Sequence, residues 1–474
     1  MEQRLIELAK KFELAKAADP GFELFGASHH RYQLEPPLGE AEILAFEKKY
    51  KIGLPPTYRN FLLKVGSKGA GPYYGLISLD TNVDGNLIHK PCEIWPGMTD
   101  DEIDALEARG DEEDELLERS GLLELGTQGC STEICLVLEG PHRDRIVYLD
   151  WPNFFFVYEK NFLDWYERWL DDIIAGYDTS FYGHLMGGEP HELVERFRIC
   201  EEEETAVNIL RAMTRFPKVP EPILDFLASV AKNTATPAGQ QAIKLLIRFD
   251  YQQAHIFLGD MFESGDEQQI REAASSIYAK KETCVQWAPT ALEAITRVTH
   301  RKSYCALLDV LNRSEIDASE VLSQIVATAE EDIRGLIFFY LARFENKTPY
   351  ATLMETGLND PSPKVVSKTV RALCQWTEKD RYLNHFEEIA ERFLTNEEGV
   401  LENLMYNLSA MRPQALPLLE KLTTHPHEPI AIKAQNILEH HRKAQTPEIP
   451  ETAPPNAPQS TTWHRFKRFF KGDA

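Results

Sequence analysis

Leu54-Pro55-Pro56-Thr57-Tyr58-Arg59-Asn60-Phe61-Leu62-Leu63, running on through Val65-Gly66 into Gly69-Ala70-Gly71-Pro72-Tyr73-Tyr74-Gly75-Leu76, decides the reading of this chain. Pro55 and Pro56 fix an extended approach, after which Tyr58, Phe61, Leu62 and Val65 recur at helical spacing. A short amphipathic helix is expected there, stopped at Gly66. The glycines up to Gly75 permit the positive φ values of tight turns, and the apolar run Leu76-Ile77-Ser78-Leu79 is expected to form a strand.

Further blocks follow in order: Gly121-Leu122-Leu123-Glu124-Leu125-Gly126 with Gly129-Cys130, then Cys135-Leu136-Val137-Leu138-Glu139-Gly140-Pro141, then Arg145-Ile146-Val147-Tyr148. The set closes on Phe162-Leu163-Asp164-Trp165-Tyr166-Glu167-Arg168-Trp169-Leu170. Together with the opening stretch these blocks resemble the SUKH superfamily, the Smi/Knr-type domains, over about residues 35 to 175. The resemblance implies an α+β domain in which the later blocks are consecutive strands of a mixed sheet with flanking helices, the last helix packing on the sheet. The chain departs from the family in carrying Val65-Gly66-Ser67 where an asparagine often precedes the glycines, and in a long acidic loop expected around residues 96–119.

The 474 residues favour two or more domains, and a hydrophobic fraction of 43% is ample for buried cores. No apolar run approaches the roughly 18 residues that span a bilayer, and Met1-Glu2-Gln3-Arg4-Leu5-Ile6 has no signal-peptide core, so a cytoplasmic location is expected. Seven scattered cysteines give an odd count and no disulfide framework. Cys130 and Cys135 have no second pair or nearby histidine to complete a zinc set. A formal net charge of −24 disfavours direct nucleic-acid binding and suits a basic partner or simple solubility.

From about Gly187-Gly188-Glu189-Pro190 onward, alternation gives way to apolar residues at helical spacing. Helices are expected in pairs, the second of each anchored at Ala238, Ile270, Tyr304, Ile333, Val366, Leu401 and Ile430, a period of about 32 residues. Pro361, Pro363 and Pro429 fall in first turns, where proline belongs. Stripes such as Val366, Val370, Leu373 are too narrow to make a core alone, so neighbouring pairs must stack as an all-α solenoid. Asp360-Pro361 followed by Val365, Val366, Lys368, Val370 and Ala372-Leu373 resembles HEAT-type repeats. The expected organisation is a SUKH-like domain over 1–185, a HEAT-like solenoid over 186–443, a proline-rich disordered linker over 444–462 and a basic aromatic tail over 463–474.

No Gly-x-Ser-x-Gly, phosphate-cradling or dinucleotide motif appears, and His191-Glu192-Leu193-Val194-Glu195 lacks the second histidine of a zinc-protease helix. No enzyme activity, metal or cofactor is expected. The histidine pairs His29/His30, His425/His427 and His440/His441 are read as surface or capping residues. Partner recognition is assigned to the acidic run Asp100, Asp101, Glu102, Asp104, Asp111, Glu112, Glu113, Asp114 and Glu115, able to steer a basic partner, with the aromatics Tyr73, Tyr74, Trp151 and Phe155. In the tail, Trp463, Phe466, Phe469 and Phe470 fall on one side of a short helix, while Arg465, Lys467, Arg468 and Lys471 supply positive charge for a weak membrane-surface contact, for docking on a partner's groove or for docking back on the protein's own acidic surface.

SUKH-like domains are best known as bacterial immunity proteins that bind and neutralise toxins, some of them basic nucleases. The resemblance therefore implies a monomeric, non-enzymatic protein that occludes a toxin. The alternative is a regulatory scaffold of the kind fungal members represent.

Overall fold

A computed structural model describes residues 2–113, 116–411 and 414–443. They form two compact units, 1–277 and 278–474. The expected boundary near residue 186 falls inside the first of these.

The first unit opens with α1 (Glu2–Ala18), the short α2 (Ala27–His30), α3 (Glu40–Tyr50) and α4 (Pro56–Lys64). Pro56 sits in the first turn of α4, and Tyr58, Phe61 and Leu62 are its buried face, as the spacing requires. Next come α5 (Asp100–Glu113), the strands β1 (Leu122–Gly129), β2 (Thr132–Val137), β3 (Ile146–Asp150) and β4 (Asn153–Phe156), and α6 (Phe162–Ile174). The strands pair in sequence order, antiparallel throughout, instead of forming the mixed sheet expected. Their connections are too short for the crossover a parallel pair would need.

Both faces of the sheet are covered. Leu123, Leu125, Ile134, Leu136, Ile146 and Tyr148 point into the larger core with residues of α1, α4 and α6. Leu122, Cys135, Val137, Val147 and Leu149 face a smaller core closed by Ile94, Leu106 and Leu117. This is the period-two alternation of a sheet buried on two sides. α1 is fixed to α6 by Arg4 on Asp164 (2.8 Å) and Glu167 (2.5 Å) and by Lys11 on Glu167 (2.8 Å).

Two local expectations fail. Leu76-Ile77-Ser78-Leu79 makes only isolated bridges, Gly69 to Leu76 and Leu76 to Gly126, because β1 is irregular between Glu124 and Gly126 and the chain turns at Ser78, whose carbonyl accepts from Thr81 N at 2.9 Å. The acidic loop is largely the helix α5. The positive φ expected of the glycine stretch is present at Gly69 (111°) and Gly75 (86°).

From Pro190 the described chain is all helical. The first unit continues with α7 (Pro190–Arg198), α8 (Glu203–Ala212), α9 (Glu221–Ala231), α10 (Pro237–Phe249), α11 (Tyr251–Glu263) and α12 (Glu267–Ile277). In the second unit lie α13 (Lys281–Ala294), α14 (Arg301–Ser314), α15 (Ser319–Thr328), α16 (Glu331–Leu341), α17 (Ala351–Leu358), α18 (Pro363–Leu373), α19 (Leu383–Arg392), α20 (Val400–Ala410), α21 (Leu416–Leu422) and α22 (Glu428–Lys443). Every anchor position expected for a second helix falls in one: Ala238 and Ile270 in α10 and α12, then Tyr304, Ile333, Val366, Leu401 and Ile430 in α14, α16, α18, α20 and α22.

Within the second unit the second helices pack in series, α14 on α16, α16 on α18, α18 on α20 and α20 on α22, which is solenoid-like stacking. Polar ties reinforce it: Arg334 donates to both Asp360 oxygens at 2.7 and 2.9 Å, and Asn407 Nδ2 donates to the Val370 carbonyl at 2.8 Å. The histidine reading needs correction at His30, which is buried in the first unit; His441 is also buried, but its Nε2 lies 3.0 Å from the Ser409 carbonyl oxygen in the last turn of α20, a capping contact. Among the described residues no helix is long and apolar enough to cross a membrane.

Candidate interaction surface

α5 begins with a reciprocal cap: Thr99 N and Oγ1 both donate to Glu102 Oε2, at 2.8 and 3.0 Å, and Glu102 N donates to Thr99 Oγ1 at 3.4 Å. Leu106, buried, and Ile103, half-buried, anchor the helix to the second face of the sheet, leaving Asp100, Asp101, Glu102, Asp104 and Glu107 exposed. The first-turn carboxylates are explained by the helix itself, since acidic groups there oppose the positive end of its dipole. Asp114 and Glu115, and the side chains of Asp111, Glu112 and Glu113, lie outside the described residues.

The acidic surface continues onto neighbouring elements. Partial burial pushes the Glu118 carboxyl up, Glu107 and Glu133 adding to the shift against Arg119; burial likewise raises Glu124, against the hydrogen bond it accepts from Asn82 Nδ2 at 2.8 Å. Arg119 pairs with Glu133, and Arg109 with Glu93 at 2.9 Å.

The aromatic residues assigned to recognition separate. Trp151 lies against the smaller core, half-buried and stacked on Phe154 (6.2 Å between centroids, 11° between planes), on the face of the sheet that carries α5. Phe155 points the other way, stacked on Tyr148 at 4.9 Å and 4.2 Å from His184. Tyr73 is a core residue: its hydroxyl donates to the Tyr182 carbonyl at 2.8 Å, so it offers nothing to a partner. Tyr74 is exposed and meets the edges of Phe25 and His29, each at 5.5 Å. The neighbouring tyrosines diverge because the turn at Tyr73, φ 56°, aims successive side chains in opposite directions. The tail residues Trp463, Arg465, Phe466, Lys467, Arg468, Phe469, Phe470 and Lys471 lie outside the described residues.

One feature has no linear signal. Beside α3, a groove of about 390 Å³ has a floor of Leu38, Ala45, Phe46 and Leu79 and a rim of Glu35, Glu42, Asp80 and Lys49. It is assembled from three separated segments; the only hint in the sequence is the amphipathic run of α3, which turns Ile43 and Phe46 inward. Glu42 also caps α3, accepting from Gly39 N at 2.7 Å, and Glu35 pairs with Lys68 at 3.4 Å.

Residues 37–168 match the SMI1 / KNR4 family (SUKH-1), so the α/β part of the first unit, from just before α3 into α6, is a SUKH-1 domain. No curated protein and no solved structure matches the chain.

Proposed function

We propose that the chain is a non-enzymatic binding protein, a bacterial immunity protein of the cytoplasm that neutralises a basic toxin by covering its active site or substrate groove. The observation that carries the reading is the exposed acidic face of α5, Asp100, Asp101, Asp104 and Glu107, held against the SUKH-1 domain by Ile103 and Leu106. Such a surface steers a positively charged protein and fixes its orientation. Trp151, on the same side of the sheet, supplies an apolar contact beside it. Occlusion requires no covalent chemistry, metal or cofactor, and a monomer suffices. The membrane-surface role of the tail stands as a further proposal.

The stacked helical pairs support the second reading, a regulatory scaffold, because repeat arrays present extended binding faces. Purifying the tagged chain from its native cells and identifying what accompanies it separates the two. A basic toxin whose activity falls on stoichiometric addition of the chain supports immunity. A set of housekeeping proteins with undiminished activities supports the scaffold.

A further inference from the structure

The helical pairs of the second unit carry opposite charge on their two members. The second helices α14, α16 and α18 hold seven basic residues against three acidic ones, whereas the first helices α13, α15 and α17 hold one against four. In a chain of net charge −24 this is a local reversal of sign, and it peaks on α18, which has three cations and no acid. Lys364, Lys368 and Arg371 stand at i, i+4 and i+7, so they form one stripe along that helix.

The stripe runs along the junction with α16 in parallel register. Lys364 pairs with Asp332 at 2.6 Å and with Glu331 at 3.7 Å, and one turn further on Lys368 crosses α16 at Gly335. A Cβ at Gly335 would lie 2.8 Å from Lys368 Cδ and 3.2 Å from its Nζ, so the missing side chain is what lets the ammonium lie across the helix. There Lys368 makes no hydrogen bond or ion pair among the described residues. Partial burial holds its pKa below the usual lysine value, with Arg301 of α14 and Lys364 adding to the shift and Asp332 and Glu331 opposing it. The exposed side chains of Arg301 and Arg371 are likewise without a partner among the described residues.

Like charges gathered in this way repel, and an anion arriving from outside relieves them. The geometry points to a binding site for an acidic segment of a partner protein across α14, α16 and α18, its carboxylates received by Arg301, Lys368 and Arg371. Successive cations of the α18 stripe are about 4.5–6 Å apart in helix rise, a spacing that acidic side chains on one face of a helical or extended peptide can match. Glu331 and Asp332, interspersed with the cations, repel an unbroken run of phosphates and so favour a peptide over a nucleic-acid backbone. The inference does not depend on what α5 recognises.

The test follows the anisotropy of fluorescein-labelled octaglutamate added to the full chain. Octaglutamate is expected to bind and to lose affinity as salt is added. Lys368→Glu combined with Arg371→Glu is expected to weaken it at least about tenfold, whereas the same charge change at the exposed Lys218 and Lys232 of the first unit, Lys218→Glu with Lys232→Glu, leaves it within about twofold. An unchanged melting temperature and circular dichroism spectrum establish that the α18 variant is folded; Arg371→Glu alone serves if it is not. Absence of octaglutamate binding overturns the inference, as does equal loss in both double variants, which assigns the effect to net charge alone. Tighter binding of a 12-nucleotide oligothymidylate that is lost in the α18 variant also overturns it, by assigning the face to nucleic acid.

Discussion

Arg215 Nη1 donates to Asp172 Oδ1 at 2.6 Å, with both side chains almost entirely out of solvent. Asp172 stands on α6 of the SUKH-1 domain and Arg215 follows α8, so a buried ion pair joins the α/β part to the first helical pairs. Arg168 adds a second cation to Asp172 at 3.3 Å, and Arg215 also donates to the Gly188 carbonyl. The point at which alternation gives way to helical periodicity is therefore a place where the two textures are tied together.

Removing Arg215 leaves the buried Asp172 with Arg168 as its cation. Arg215→Ala is predicted to destabilise the first unit by about 3 kcal/mol in denaturant unfolding, the low end for a broken buried pair. By the same argument a fragment ending at residue 185 is predicted to unfold at lower denaturant than one ending at Ile277. Equal midpoints for the two fragments would count against the pair as a structural tie.

Gly75 has φ 86°, and a Cβ there would lie 2.0 Å from the Gly69 carbonyl oxygen. Gly75→Ala is predicted to cost about 3 kcal/mol or more, combining backbone strain with a backbone clash. Gly97, with similar φ but open space around it, should cost clearly less when changed to alanine. Thermal melts of the two variants compare them directly.

Burial holds the His30 imidazole well below its ordinary value, at about 4, with His29 adding to the shift and Asp19 opposing it. The neutral ring accepts from Tyr32 N at 3.0 Å and lies edge-on to Trp169. Because the folded state refuses a proton that the unfolded state takes up near 6.5, this contribution is complete above that pH and is lost as pH falls toward 4. The loss is on the order of 3 kcal/mol. His30→Gln is predicted to flatten the stability profile between pH 6.5 and 4; a parallel slope would assign the dependence to other groups.

The solenoid has its own repeated device. Tyr350 accepts from Ala318 N at 3.1 Å and donates to the Ile316 carbonyl, and Tyr382 donates to the Ala351 carbonyl at 3.2 Å. Each packs against an aromatic six residues before it, Phe344 or Trp376, so one lock recurs in successive pairs. Tyr382→Phe is predicted to lower stability by about 1 kcal/mol and Tyr350→Phe by at least as much, since it abandons a buried Ala318 N–H. Unfolding midpoints unchanged in both would remove the lock from the account.

The helix after Pro55-Pro56, the strands around Leu123, Leu136 and Val147 and the helix bearing Trp165 were legible because their apolar spacing is unambiguous over a whole element. The second helices were legible for the same reason and because prolines mark several starts. What escaped reading depended on tertiary context. Among its described side chains α5 turns Ile103 and Leu106 inward, too few for a periodic signal. Leu76-Ile77-Ser78-Leu79 has the composition of a strand but no regular partner edge. Tyr73 and Tyr74 are the same residue in the same context, yet one is core and one surface. The α3 groove joins residues from positions 35 to 80 and appears only once the chain is folded.

Recognition of a basic protein through the acidic face of α5 can be read from quantitative capture out of native cells. The bait is the full chain, compared with a variant carrying Asp100→Lys, Asp101→Lys, Asp104→Lys and Glu107→Lys, all exposed, with the capping Glu102 left in place. A basic protein is expected to be enriched by the natural chain, with less than about a tenth of it retained by the variant and the difference narrowing as salt is raised. Equal enrichment of the same protein by both baits, at every salt concentration, would contradict it.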